Sequence, residues 1–292
     1  MKIFITGGTG FIGRHLIKAL EGNQILALSR TLQPQGDSSE LTWLLGDIDN
    51  PEHWVTELTQ FKPDIFVHLA WSGLPDYSKE ISEKNVHITS KLIASLKKTN
   101  LRKIVVAGSC WEYGNSVGRT SETHNSLVES DFVKAKVRVH NMFDEYCLSS
   151  GIDLIWARIF FSYGAGQRKS SLLPTVFTSI MNGELPEIKS PKSVHDFIHI
   201  SDVVSALSRL VYKNDIAGTF NIGSGEPTSI VRFVNLIASI YGSEFRLNDE
   251  ESNSGLWANI EKIGAITGWY PLVSIEDGIK QTVEQLMKST HD

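Results

Sequence analysis

The sequence predicts an α/β fold built on a doubly wound parallel sheet, and three observations predict it. The chain opens with an apolar run, residues 2–5, that breaks into Thr6-Gly7-Gly8-Thr9-Gly10-Phe11-Ile12-Gly13. A stretch of helical spacing, 14–20, follows at once. Short apolar runs then recur, separated by further stretches of helical period, and strands alternating with helices give a parallel sheet.

Taken in order, the first strand, the glycine turn and the helix N-terminus form a dinucleotide pyrophosphate site. Glycines let the backbone turn sharply and approach the phosphates, while free N–H groups and the helix dipole attract the anion. The spacing is Gly7-x-x-Gly10-x-x-Gly13 rather than the commoner G-x-G-x-x-G. Residues 24–28 read as a second strand ending in Ser29-Arg30. An acid there would hydrogen-bond the ribose hydroxyls of NAD, whereas an arginine accommodates the 2′-phosphate of NADP. The acid is absent and Arg30 is present, which favours NADP(H); a solvated loop arginine is the alternative.

Residues 43–45 are a third strand with the polar exit Gly46-Asp47-Ile48, 64–70 a fourth, 103–108 a fifth and 154–158 a sixth. Residues 81–98 and 131–148 are helices. The first buries Val86, Ile88, Leu92, Ile93 and Leu96, and the second stops at Ser149-Ser150-Gly151. The rhythm loosens after Tyr163 into a polar glycine loop, 164–171, a short helix near 174–181 and a proline-punctuated stretch to His195. Residues 228–241 are an amphipathic helix capped by Thr228 or Ser229. The predicted organisation is a Rossmann-type, NADP-binding domain over 1–163, with 195–225 returning to it. A smaller C-terminal substrate-binding domain takes 164–194 and 226–292.

A chain of 292 residues is long enough for such a core, and its 41% hydrophobic and 21% charged content is ordinary for a globular protein. The net charge of −5, without a basic run, implies neither nucleic acid nor an anionic membrane as partner. Cys110 and Cys147 are too few for a disulfide framework or a zinc cluster, so no metal is expected. The first strand begins at once, leaving no room for a signal peptide, and no apolar run approaches a membrane span; the expectation is a cytoplasmic enzyme.

At this point the sequence resembles the extended short-chain dehydrogenase/reductase superfamily, in its nucleotide-sugar epimerase, dehydratase and reductase branch. The resemblance rests on 6–13, Gly46-Asp47-Ile48, His68-Leu69-Ala70, Asn85-Val86, Ser109 through Tyr113-Gly114, Arg158 through Tyr163-Gly164, Asp196-Phe197-Ile198-His199 with Asp202, and Phe220-Asn221-Ile222-Gly223. It implies a cofactor held by Gly7, Gly10, Phe11, Ile12, Gly13, Ser29, Arg30, Asp47, Ile48, Leu69, Ala70 and Lys136. It also implies a nucleotide-sugar substrate, a homodimer, and structural anchoring of the substrate domain by Asp196 and Asp202. Asp47 can equally be a turn former after its strand.

The superfamily's chemistry needs a Ser or Thr with Tyr and Lys as Y-x-x-x-K, which puts the last two on one helical face. The ammonium lowers the phenol pKa from about 10, so the tyrosine can exchange a proton near neutral pH. Ser109 and Lys136 stand where the resemblance places the hydroxyl and the ammonium, but Phe132 stands where it places the tyrosine. Loss of a general acid/base costs about 10²–10⁴ in rate. Three explanations stay open: a deliberate Tyr→Phe substitution, which the unchanged ring favours; an enzyme whose proton donor lies elsewhere, with Tyr113, Cys110, Tyr163 and His195 as candidates; or a non-catalytic NADP(H)-binding sensor.

Cys110 and Trp111 occupy the places where the branch's 4,6-dehydratases carry an Asp-Glu pair, and Glu112 is one place away and would point differently. That argues against dehydration. The Ser29-Arg30 end favours an NADPH-consuming reductase of a keto group, at C4, on a nucleotide-linked 4-keto-6-deoxy sugar, over an epimerase with tightly bound NAD. Trp71, Cys110, Trp111, Phe161, Arg168 and Lys192 are the expected substrate contacts. The two cations suit a diphosphate, and each of these residues can instead be loop or packing.

Overall fold

The computed structural model describes residues 1–34, 40–124, 129–188, 190–248 and 254–289. It divides into two compact units. The first is Met1–Asn115 with Asn125–Arg158 and Val204–Phe220; the second is Ser116–His124 with Ile159–Val203 and Asn221–Asp292.

The first unit is organised on a seven-stranded sheet. Its spatial order is Gly218–Ile222, Asp153–Ile159, Lys103–Ser109, Ile65–His68, Lys2–Thr6, Gln24–Ser29 and Leu41–Leu45. The four strands that run from Lys103–Ser109 to Gln24–Ser29, and the edge strand Leu41–Leu45 beyond them, pair in parallel, with Phe4 opposite Leu26 on one side and Phe66 on the other. Such strands are covered on both faces, so they read as continuous apolar runs rather than as alternations. Ile3, Phe4, Ile5, Ile65, Phe66 and Val67 are all fully buried. The expected parallel Rossmann-like sheet is therefore present.

Strand Lys2–Thr6 sits between its sequence successor and the fourth strand, so the chain leaves it first to one side and later to the other. A reversal of this kind opens a crevice at the carboxyl ends of the two strands. The fourth strand ends at His68 rather than at residue 70, and Leu69 donates its N–H to Thr6 O at 3.1 Å as the chain turns out.

The core is aromatic at its centre: Phe4 stacks on Phe66 with ring centroids 5.2 Å apart, and Trp54 closes on Phe4 at 5.6 Å. Helices Lys79–Leu96 and Asp131–Ser150 bury Leu92, Leu96, Val139 and Phe143 in the same cluster. Ser130 caps the second of these, accepting from Val133 N at 3.2 Å, and Gly151 ends it at φ 66° in the left-handed region. Lys103 is buried, and its ammonium donates to the carbonyls of Leu210, Val211 and Lys213 at the end of helix Ile200–Tyr212. A cation there meets the negative end of the helix dipole, although burial still lowers the lysine pKa.

The second unit carries a parallel pair, Phe161–Tyr163 with Phe197–His199, and a four-stranded sheet in the order Thr228–Ser229, Val194–His195, Gly255–Ala258, Gly118–Thr120. Helices Leu172–Met181, Ile230–Tyr241 and Ile275–Ser289 enclose Tyr163, Phe177, Phe197, Phe233, Ile237 and Ile279. Ser229 is the cap of the middle helix, accepting from Arg232 N at 3.0 Å.

The units differ from the boundaries read in the sequence. Residues 159–163 belong to the second unit because Phe161–Tyr163 pairs with Phe197–His199, and the segment that rejoins the first is Val204–Phe220 rather than 195–225. Ser116–His124 goes to the second unit because Gly118–Thr120 pairs with Leu256–Ala258. Asp196 and Asp202 are both committed to backbone N–H groups. Asp196 accepts from Ser224 N, Gly225 N and Ala258 N at 2.6, 2.9 and 3.0 Å, and Asp202 from Leu272 N and Val273 N at 3.1 and 2.9 Å.

Candidate functional site

At the end of strand Lys2–Thr6 the backbone itself makes the site. Gly7 has φ 77°, and a Cβ there would lie 2.8 Å from Ala70 N and from Leu69 C, so only glycine lets the two loops close on each other. A Cβ on Gly13 would collide with Gly7 O. Helix Phe11–Ala19 begins with Gly10 as an extended N-cap that offers no side chain, so its first-turn N–H groups are left to an anion. These features fit a dinucleotide pyrophosphate. Beneath the turn, Thr6 Oγ1 lies 2.7 Å from His68 Nδ1 in full burial. Desolvation, with Lys136 adding repulsion, lowers the His68 pKa to about 3 and keeps the imidazole neutral.

At the end of the second strand, Ser29 turns inward: its hydroxyl donates to Thr31 O at 2.8 Å and accepts from Thr31 N at 3.3 Å. Arg30 is exposed. Asp47 Oδ1 accepts from Asp49 N at 3.1 Å, and Asp47 O accepts from Trp54 Nε1 at 2.7 Å, so this carboxylate shapes its own turn. Ile48 is buried beside it. Asp49 holds Lys84 at 2.6 Å. The hydrogen bond and charge of Asp49 raise the Lys84 pKa, Asp47 adds to this, and Arg30 opposes it.

The end of strand Lys103–Ser109 is built differently. Ser109 Oγ accepts from Trp111 N at 3.2 Å, and Ser109 N donates to Glu112 Oε1 at 2.7 Å, a reciprocal cap that opens the turn Cys110–Tyr113. Glu112 then points inward, where Oε2 accepts from Trp156 Nε1 at 2.8 Å and Arg158 Nε at 3.0 Å. Tyr113 is fully buried beneath the Arg158 guanidinium, 4.5 Å from its ring centroid. Arg158, with Glu112 and Tyr113 as partners, is thereby a structural cation of the first unit.

Phe132 and Lys136 share one face of helix Asp131–Ser150, both buried. Lys136 Nζ donates to Ala107 O at 2.9 Å and lies 4.1 Å over the Trp71 ring. Burial, partly offset by Glu112, lowers its pKa to about 8. Phe132 meets three rings edge-on: Trp71 at 5.4 Å, Tyr77 at 5.1 Å and Trp111 at 5.6 Å, and Tyr77 and Trp111 touch each other at 5.0 Å. Asn85 pins the loop that carries Trp71: Oδ1 accepts from Ser72 N at 2.8 Å, and Nδ2 donates to Ser72 O at 2.9 Å. Trp71 Nε1 is buried without a hydrogen-bond partner among the described residues.

The structure thus brings Ser109, Cys110, Trp111, Trp71, Phe132 and Lys136 into one unit and places Phe161, Arg168 and Lys192 in the other. Phe161 lies against His195 at 4.1 Å and Phe197 at 6.0 Å, while Arg168 and Lys192 are exposed. Tyr163 is buried with its pKa raised, chiefly by desolvation, and donates to Ile275 O at 3.4 Å. Tyr77 is the ring that sequence reasoning missed; the loop it sits in has no periodicity, and only its place just before the helix cap Ser78 marks it. Among the described residues, no group of three or more His, Cys, Asp or Glu is placed to hold a metal, and no helix is long and apolar enough to cross a membrane.

The model of the NAD dependent epimerase/dehydratase family matches residues 3–223. The chain is 28% identical to the dTDP-4-dehydro-6-deoxyglucose reductase of Escherichia coli over 97% of both chains. It is 25% identical to the UDP-glucose 4-epimerase of Halalkalibacterium halodurans over 93% of this chain and 91% of that one. Among solved structures, the UDP-glucuronic acid 4-epimerase of Bacillus cereus, in complex with UDP-glucuronic acid and NAD, superposes with a TM-score of 0.86. That match covers 99% of this chain and 100% of the other at 23% identity, and at that identity it shows the fold alone.

Proposed function

Because the chain belongs to the NAD dependent epimerase/dehydratase family, we propose that it reduces a keto group, at C4, on a nucleotide-linked 4-keto-6-deoxy sugar with NADPH. The observation that carries this reading is the end of the second strand. Ser29 is turned into its own loop, Arg30 is exposed, and Lys84 lies within electrostatic reach of Arg30. The local carboxylates are engaged, Asp47 with its own turn and Asp49 with Lys84. The exposed Arg30 guanidinium suits a 2′-phosphate. The inward commitment of Glu112 supports the choice against dehydration, since it removes the nearest carboxylate from acid/base work.

In this reading Gly7, Gly10, Gly13 and the N-terminus of helix Phe11–Ala19 hold the pyrophosphate, with Phe11 and Ile12 in its first turn. Asp47 and Ile48 lie at the adenine, and Leu69, Ala70 and Lys136 at the nicotinamide ribose. The nicotinamide, when bound, supplies the hydride. Ser109 Oγ accepts from Trp111 N, which leaves its own proton to donate to the substrate oxygen. Lys136 holds a positive charge near that oxygen below about pH 8. Trp71, Cys110 and Trp111 wall the sugar. The test is NADPH oxidation over a panel of nucleotide 4-keto-6-deoxy sugars, with binding of NADP and NAD compared side by side. A clear preference for NAD would overturn the cofactor half.

A second reading, a nucleotide-sugar epimerase with retained NAD, has its support in the relatives named for that activity and in the NAD bound to the Bacillus cereus enzyme. Purified protein carrying oxidised NAD would favour it. A sensor that binds NADP(H) and turns over no sugar is the third reading, and Phe132 is the residue that supports it.

A further inference from the structure

Phe132 leaves the position four residues before Lys136 without an exchangeable proton, and its ring is closed in by Trp71, Tyr77 and Trp111. Indole N–H groups do not exchange usefully near neutral pH, so of these three walls only Tyr77 carries acid/base chemistry. Its ring centroid is 5.1 Å from that of Phe132, at 80°, and the residue is 40% exposed, so its phenol has a route to water. The other candidate donors are engaged elsewhere. Tyr113 is sealed under Arg158, Cys110 is buried, and Tyr163 and His195 belong to the second unit, each packed against an aromatic ring there.

The loop that presents Tyr77 is built to hold it. Gly73 turns at φ 84° and its carbonyl accepts from Asp76 N at 2.9 Å. Asp76 Oδ1 accepts from Ser78 N at 2.8 Å, and Ser78 caps helix Lys79–Leu96. Tyr77 is therefore fixed between two anchored residues, with its ring turned onto Phe132 and Trp111.

We propose that Tyr77 is a catalytic residue, the general acid that replaces the tyrosine absent at position 132. The proposal rests on the reductase reading. As the carbonyl carbon gains hydride from the nicotinamide, the C=O π pair moves onto oxygen, and that oxygen takes the Tyr77 phenol proton. The phenolate regains its proton from water through its exposed edge. Ser109 donates to the same oxygen, and Phe132, Trp71 and Trp111 keep the surroundings apolar, which strengthens both hydrogen bonds.

The test compares the wild-type chain, Tyr77→Phe, Phe132→Tyr and the double variant. Turnover is read over the sugar panel, and sugar binding to cofactor-free protein is read from tryptophan fluorescence, since Trp71 and Trp111 adjoin the ring. The expected result is an active wild type and a kcat lowered about 10²–10⁴-fold in Tyr77→Phe. Sugar Kd should stay within about twofold, because the ring remains, and the double variant should regain turnover. Undiminished kcat in Tyr77→Phe overturns the proposal, as does a loss of binding that accounts for the loss of rate. An inert wild type also overturns it. In that case an active Phe132→Tyr leaves the reductase reading standing, whereas silence from both removes that reading as well.

Discussion

Two strand ends of the first unit are held by opposite means. The end of Lys2–Thr6 is a backbone site: Gly7 approaches Leu69-Ala70, Gly13 approaches Gly7 O, and the helix start carries no capping side chain. The end of Lys103–Ser109 is a side-chain site, in which Glu112 binds Trp156 and Arg158 and three aromatic rings, Trp71, Tyr77 and Trp111, close on Phe132. A backbone site tolerates no added atom but is indifferent to side-chain chemistry. A side-chain site keeps its shape through a change such as Tyr to Phe while its chemistry changes entirely.

The sharpest way to break this contrast is to add one carbon to the backbone site. Gly13→Ala forces Cβ into Gly7 O, and dinucleotide affinity measured by calorimetry is expected to fall about 100-fold, near the top of the roughly 1–3 kcal/mol that overpacking costs. Next is Lys136→Met in the side-chain site. Turnover is expected to drop about 100-fold, while the thermal midpoint holds or rises, because a buried charge is exchanged for an apolar chain of similar length. In the unaltered chain, activity should decline above about pH 8 as Lys136 loses its proton.

His68 links the two sites by charge. Its folded pKa of about 3 lies below the unfolded value, so the unfolded chain binds the extra proton between about pH 6.5 and 3. Stability should therefore fall with decreasing pH across that window, by up to about 1.4 kcal/mol per unit. Urea melts at several pH values would show the slope, and it should be shallower in His68→Gln. Arg30→Ala is a smaller change; under the proposed NADPH reading it is expected to weaken NADP binding relative to NAD about tenfold. Arg138→Ala, which removes the exposed ion pair with Glu83 at 2.6 Å, should alter stability by less than about 0.5 kcal/mol, and serves as the baseline.

The same contrast decides what could be read from the sequence. The strands and the glycine turn were legible because their causes are local: apolar runs, helical period, and glycines at fixed spacing. The Phe132–Lys136 spacing was legible for the same reason. Tyr77 was not, because its approach to Phe132 depends on the Gly73 turn and the Asp76 and Ser78 anchors, none of which has a period. Glu112 could be seen to stand out of place for dehydration, but its partners Trp156 and Arg158 lie on another strand. Gly118–Thr120 was missed because a three-residue strand is defined by its distant partner, Leu256–Ala258.

Asp196 gathers N–H groups from two separated stretches, Ser224-Gly225 and Ala258, onto one carboxylate in the dry interior of the second unit. All three amides are held by that one carboxylate, so none is freed until it moves. In deuterium exchange the three should therefore be released together, at the slow limit set by opening of the unit as a whole rather than by fraying of its loops.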